Sequence, residues 1–200
     1  MLSAAVVATV FGVIFLAELP DKSLFASLVL GTRYRGLYVW VGVAAAFLVH
    51  VVIAVAAGQA LTLLPQQVVE SVVAALFLAG AAYLLLGSEE AVTREGVEEG
   101  ERAARVPPSF LRVALTSFGV VFVGEWGDIT QIVTANYAAR YAAPFSVGLG
   151  AVLALWAVTA LAVTAGSKLL DHVSVTVVRR VTGVILLGFA AYSAVAAATG

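Results

Sequence analysis

Apolar residues occur along this chain in runs too long and too uniform to describe one face of an amphipathic helix. The runs extend from about Ala4 to Leu30, Leu37 to Leu61, Val68 to Leu86, Phe110 to Ala138, Phe145 to Gly166 and Val175 to Ala198. A bilayer core of about 30 Å needs roughly 20 mostly apolar residues per helix, so the pattern predicts six membrane-spanning helices. Barrel strands would alternate polar and apolar positions, whereas these runs are apolar on every face. Two runs are interrupted, the first by Glu18-Leu19-Pro20-Asp21-Lys22 and the fourth by Glu125-Trp126-Gly127-Asp128. A polar stretch, Ser88 to Arg105, separates the third run from the fourth. No basic region precedes the first run, and its length argues against a cleaved signal peptide.

Composition sharpens this reading. Of 200 residues, 62% are hydrophobic and 12% charged, against about 45–50% and about 25% in soluble domains. Lipid is therefore the expected solvent. A formal net charge of -1 gives no basic face for nucleic acid. The absence of cysteine excludes disulfides, thiolate metal sites and thiol nucleophiles together. Lys and Arg set the orientation. The 1–2, 3–4 and 5–6 loops hold Arg33, Arg35, Arg94, Arg102, Arg105, Arg112, Lys168, Arg179 and Arg180, while the opposite side has Arg140 alone. The 88–109 loop is thus expected in the cytoplasm and both termini outside, in a bacterial plasma membrane.

The two interruptions belong to an internal repeat. A shift of 107 residues superposes Glu18 on Glu125, Asp21 on Asp128, Ser23 on Thr130, Ser27 on Thr134, Arg33 on Arg140 and Tyr34 on Tyr141. With small offsets Gly58 meets Gly166, and Ala81-Ala82-Tyr83 meets Ala190-Ala191-Tyr192. The expected fold is an all-α integral membrane protein of six helices in two three-helix repeats, residues 1–88 and 110–200, joined by an acidic loop at 89–109. Three spans per repeat is an odd number, so the halves should run in opposite senses. Inverted repeats characterise secondary transporters, which bind their substrates near the midplane.

The chemistry should lie where charge is most costly. Four of the twelve acids, Glu18, Asp21, Glu125 and Asp128, sit near the middle of spans. Charge there costs at least about 2.5–3.5 kcal/mol on insertion scales and usually faces a cavity or ion path. The i, i+3 spacing of each pair would project both carboxylates from one helical face. Pro20 lacks an N–H and clashes with the Leu16 carbonyl, so the first span should break there; Gly127 gives the fourth a flexible point. Ser23, Ser27, Thr130, Gln131 and Thr134 add neutral oxygens. Such oxygen donors suit calcium, magnesium or manganese, whereas His50 and His172 alone give little support for zinc or copper. His50 is expected to be a packed, hydrogen-bonded residue, and His172 a solvated loop residue. Four carboxylates and the Lys22 ammonium sum to -3. Like charges so close resist full ionisation, so protons and a divalent cation should compete for one set of oxygens. Lys22 could pair with Asp21 or Asp128 and set the charge of the site.

Glu18-Leu19-Pro20-Asp21-Lys22-Ser23 and Glu125-Trp126-Gly127-Asp128-Ile129-Thr130 resemble the duplicated E-x-G-D-[KR]-[ST] signature of a cation/proton antiporter family. It was long called uncharacterised protein family sixteen, and includes the Golgi calcium/manganese transporter, chloroplast manganese transporters and bacterial manganese exporters. The resemblance covers almost the whole chain. It implies exchange of manganese or calcium for protons, with cation efflux from the cytoplasm, and it assigns the ligands to Glu18, Asp21, Ser23, Glu125, Asp128 and Thr130. It implies no permanent cofactor, only a transported cation bound in passing, and leaves monomer or homo-oligomer open. Two positions depart from the signature: Pro20 replaces the first glycine, and Ile129 replaces the second basic residue.

Other readings fit less well. An exporter of a carboxylate-bearing solute would favour cationic groups over a surplus of acids. An intramembrane metal-dependent enzyme would need more histidines or a nucleophile–base arrangement. An assembly subunit would not require matched acids. The acidic run Glu89 to Glu101 is expected to be a solvated linker, and Arg33 and Arg140 to be interfacial anchors.

Overall fold

The computed structural model describes residues 2–141, 143–165 and 175–199. Gly166, Lys168 and His172, used above for the repeat, the orientation and the histidine inventory, lie outside the described residues. Within them the chain is all helix, with no strand. In chain order the helices are α1 (Ala4–Glu18), α2 (Lys22–Arg33), α3 (Gly36–Leu61), α4 (Gln66–Leu86), α5 (Glu89–Ala103), α6 (Phe110–Gly124), α7 (Ile129–Arg140), α8 (Pro144–Ala165) and α9 (Val175–Thr199).

Four of these, α3, α4, α8 and α9, are each long and apolar enough to cross a bilayer. The pairs α1–α2 and α6–α7 are bent by 73° and 72° at short breaks, giving six candidate spans if each pair counts as one. Every predicted run therefore has its helix, and both interruptions have become sharp bends.

Packing crosses between the two halves. From the first half, α3 lies against α6 and α7; from the second, α8 lies against α1 and α2. Small residues allow these approaches. A Cβ on Gly42 would overlap the Ala114 carbonyl of α6, and one on Gly150 would come within 2.7 Å of the Val7 carbonyl oxygen of α1. Two tryptophans tie α3 to α8: Trp40 donates to the Trp156 carbonyl (3.1 Å) and Trp156 to the Ala44 carbonyl (3.0 Å). Beside this crossing set, α4 and α9 pack along each other.

The acidic 89–109 segment differs from the expected solvated linker. Ser88 caps α5 through a bond to the Ala91 N–H (3.4 Å), and Val92, Gly96, Gly100 and Ala103 form a buried stripe that packs on α2. A Cβ on Gly96 would overlap the Lys22 carbonyl oxygen, and one on Gly100 would sit 2.7 Å from Val29 Cβ. Composition had signalled only polarity; the four-residue spacing of the small and apolar positions lets the helix lie flat.

Gly96→Val should detach α5 from α2, since overpacking of this kind costs about 1–3 kcal/mol. The expected outcome is faster tryptic cleavage at Arg94 and Arg102 than in the parent chain. Unchanged cleavage would mean that the glycine contact does not hold α5.

Candidate cation site at the two helix breaks

Each break is built in the same way. At the first, α1 ends at Glu18, the Asp21 N–H bonds the Glu18 carbonyl (3.1 Å), and Asp21 is the N-cap of α2. At the second, α6 ends at Gly124, the Asp128 N–H bonds the Glu125 carbonyl (3.4 Å), and Asp128 is the N-cap of α7. The paired acids thus do not share one continuous helical face, as their i, i+3 spacing suggested. A sharp bend of 73° or 72° separates them, because Pro20 has no N–H to continue α1, and Gly127 takes φ 77°, a left-handed conformation that costs other residues about 1–2 kcal/mol.

Side chains then fix the breaks. Asp128 accepts from the Gln131 N–H (2.9 Å) and from the Thr130 hydroxyl (2.6 Å), and Gln131 Oε1 accepts from the Gly127 N–H (2.8 Å). Ser23 donates to Glu18. Gln131 is therefore committed to the turn, and Thr134 donates to the Thr130 carbonyl (2.7 Å) within its own helix. Ser27 is buried one turn beyond Ser23. The Leu16 carbonyl that Pro20 leaves without its helical donor accepts from the Thr182 hydroxyl of α9 (3.0 Å), which satisfies a group that would otherwise be costly to bury.

The bends bring acids of the two halves together. Carboxylate oxygens of Glu18, Asp21 and Asp128 lie within 4.8 Å of one another. Glu18 is fully buried and Glu125 is 2% exposed. Asp21, Lys22, Glu125, Asp128 and Thr130 line a cavity of about 360 Å³, closed on its other side by Tyr83, Leu84 and Gly80 of α4. Glu125 belongs to this wall rather than to the group of three. One oxygen each of Glu18, Asp21 and Glu125 is buried without a hydrogen-bond partner. The N-termini of α2 and α7 meet the acids, and their free N–H groups favour negative charge there.

Lys22 lines the cavity beside Asp21 and Glu125, but its ion pair is with neither Asp21 nor Asp128. Its ammonium bonds Glu95 of α5 (3.3 Å). Glu99, one turn on, places its carboxylate 3.6 Å from where a Cβ on Gly124 would stand. Burial pushes the Glu99 carboxyl above its ordinary range, with Lys22 opposing. His50 is packed as expected: Nε2 lies 3.1 Å from the Phe122 carbonyl at the end of α6, with the ring edge-on to Phe122 and Trp126.

The sequence reading passed over Glu70. It stands three positions into the third apolar run, where an acid reads as interfacial, yet it is 5% exposed and ion-paired with Arg140. The available signal was its place inside the run. Arg140 is accordingly a helix-joining residue rather than an exposed anchor, whereas Arg33 is exposed.

A family model described as divalent cation/proton antiporter GDT1 matches residues 6–91 and 113–200. A GDT1-like protein of Synechocystis sp. is 30% identical over 190 residues, covering 90% of this chain and 92% of the relative. The chloroplastic protein PAM71 of Arabidopsis thaliana is 31% identical over 209 residues, covering 92% of this chain and 55% of its own length. The chloroplastic GDT1-like protein 2 of Oryza sativa subsp. japonica is 28% identical over 212 residues, covering 95% and 61%. The chain thus spans most of the cyanobacterial relative and under two thirds of the two chloroplast proteins. No solved structure matches it.

Gly127 has open space around the position of a Cβ, so only backbone strain should distinguish its variants. Gly127→Ala should lower the thermal midpoint in detergent by roughly 2–8 °C, from about 1–2 kcal/mol of strain. Gly127→Asn should lose less, because Asn tolerates this conformation. Equal midpoints for all three would remove the strained turn from the account.

Proposed function

Because the chain belongs to the divalent cation/proton antiporter GDT1 family, we propose that it exchanges manganese or calcium for protons at Glu18, Asp21, Glu125 and Asp128, moving the cation out of the cytoplasm. The observation that carries this reading is the meeting of acids from both breaks around one cavity, with three carboxylate oxygens left buried and unpartnered. Ser23 and Thr130 would complete the oxygen set, and hard oxygen donors are what manganese and calcium prefer.

The coupling follows from charge. Four carboxylates so close together cannot all stay ionised with Lys22 already engaged by Glu95; like charges in such a poorly solvated site share protons. A divalent cation entering the oxygens displaces those protons, and its departure readmits them. If the fully ionised, empty site does not reorient, binding of one species becomes the condition for release of the other. The N-termini of α2 and α7 lower the cost of the charged, cation-bound form.

The same reading takes the chain as two inverted three-helix repeats, 1–88 and 110–200, around the α5 segment. What supports it is the matched pair of bends and the reciprocity of the packing: Gly42 of α3 meets Ala114 of α6, and Gly150 of α8 meets Val7 of α1, positions that correspond under an offset of 107 or 108 residues. The charge bias of the loops supports a cytoplasmic α5.

In proteoliposomes, an imposed proton gradient should drive uptake of manganese or calcium measured side by side. Glu18→Gln and Asp128→Asn should each cut that flux by about tenfold or more, as expected for losing at least about 1.4 kcal/mol of cation binding. Full flux in both variants would remove the acids from transport, and uptake indifferent to the proton gradient would sink the exchange.

A further inference from the structure

α4 and α9 stand apart from the other helices. They pack along each other, with Gly183 close enough to Leu85 that a Cβ would lie 2.6 Å away, and with the Phe77 and Phe189 rings 5.6 Å apart. Arg179 of α9 donates to the carbonyls of Tyr83, Leu84 and Gly87, which closes the C-terminal end of α4. Two central contacts join this pair to the breaks. Gly80 presents its bare backbone to Ile129, where a Cβ would meet the Ile129 side chain at 3.3 Å, and Thr182 bonds the Leu16 carbonyl.

On the α5 side of those contacts lies the cavity with the acids. Toward the opposite end lies a second cavity, of about 470 Å³, lined by Gln66, Glu70, Arg140 and Tyr192. Glu70 precedes Gly80 by ten residues, or about 15 Å of helix. There Arg140 of α7 bonds Glu70 of α4, donates to the Ser193 hydroxyl of α9 (2.6 Å) and covers the Tyr192 ring at 4.9 Å. Among the described residues this is the only ion pair that joins two membrane-spanning segments. Buried Val73, Phe77 and Tyr137 lie between the pair and the acids.

We propose that Glu70, Arg140 and Ser193 form the gate at the end of the bundle opposite α5, and that their separation lets α4 and α9 tilt about Gly80–Ile129 and Thr182–Leu16 so that the acid site meets the far cavity. The proposal rests on the antiport reading, since exchange requires one site to be reached from both ends. A buried ion pair is a weak source of net stability compared with apolar packing. It is better suited to a contact with two arrangements, paired when dry and hydrated when the cavity opens. Among the described residues, no ion pair at the α5 end joins α4 or α9 to a broken span. Under the 109-residue offset that aligns Ala81 with Ala190, Glu70 corresponds to Arg179, which binds carbonyls, and Arg33, the mate of Arg140, is exposed. The ion pair thus sits at the far end alone among the described contacts between these helices. Ile129, which replaces the basic residue of the second motif, supplies the apolar bearing against Gly80.

The chain has no cysteine, so Val73→Cys introduces a single thiol just inside the gate. A membrane-impermeant maleimide added to the face opposite α5 should label it slowly in oriented proteoliposomes. Arg140→Gln in the same background should accelerate labelling from that face about tenfold, the population shift expected from losing roughly 1.4 kcal/mol of closure. Ser193→Ala keeps both charges, guards against a misfolded Arg140 variant, and should give a smaller acceleration of the same sidedness. Equal rates in all three proteins, or acceleration from both faces alike, would overturn the gate. The labelling needs no transported ion. A chain that opens on cue but carries no manganese or calcium would instead sink the antiport reading, and normal transport with unaltered labelling would sink the gate alone.

Discussion

The structure is organised around acids that the bilayer interior cannot leave alone. A carboxylate in hydrocarbon must find hydrogen-bond donors, protons or cations, and an unbroken helix has no backbone donors to spare. Breaking the helix at the acid solves that problem, because each new N-terminus brings free N–H groups and a favourable dipole. The break creates a second problem, the carbonyls left behind in α1 and α6. Thr182 reaches across from α9 to the Leu16 carbonyl, and His50 reaches from α3 to that of Phe122. The outer helices are thus placed by hydrogen-bond demand at the breaks as much as by apolar packing.

Close approach is what makes those long reaches possible. Helices in lipid gain little from burying apolar surface against each other, so contact area and backbone proximity decide their association. Gly42, Gly58 and Gly150 provide it where α3 and α8 cross the opposite half. Gly96 and Gly100 do the same for α5, an otherwise acidic helix held beside the mouth of the cavity. There Glu95 holds the Lys22 ammonium in an ion pair, so the charge balance beside the cavity acids depends on α5 as well as on the breaks.

Much of this was readable in the residues. Uniform apolar runs gave the helices to within a few positions, since length and polarity are what a bilayer selects. Pro20 and Gly127 marked the breaks because one cannot donate and the other alone accepts a positive φ. What sequence spacing could not convey was direction: the i, i+3 rule assumes a continuous helix, and the 73° bend between Glu18 and Asp21 voids it. The ion pair of Lys22 was not foreseen, and Glu70 was passed over, for a related reason. Their partners, Glu95 and Arg140, are 73 and 70 residues away, and no local pattern reports a contact of that range. The α5 stripe was visible at four-residue spacing but was outweighed by its charge.

The reciprocal packing of α3 and α8 bears on how such a chain can be made. During synthesis the first break enters the membrane well before α8, the helix that covers it, has been translated. Until then the face of α1 and α2 that α8 covers has no helix packed on it. Neither half packs as an independent unit. The nascent first half must wait in the bilayer as an incompletely packed intermediate, and a truncated chain ending before α8 presents quality control with both breaks but without the helix that packs on the first.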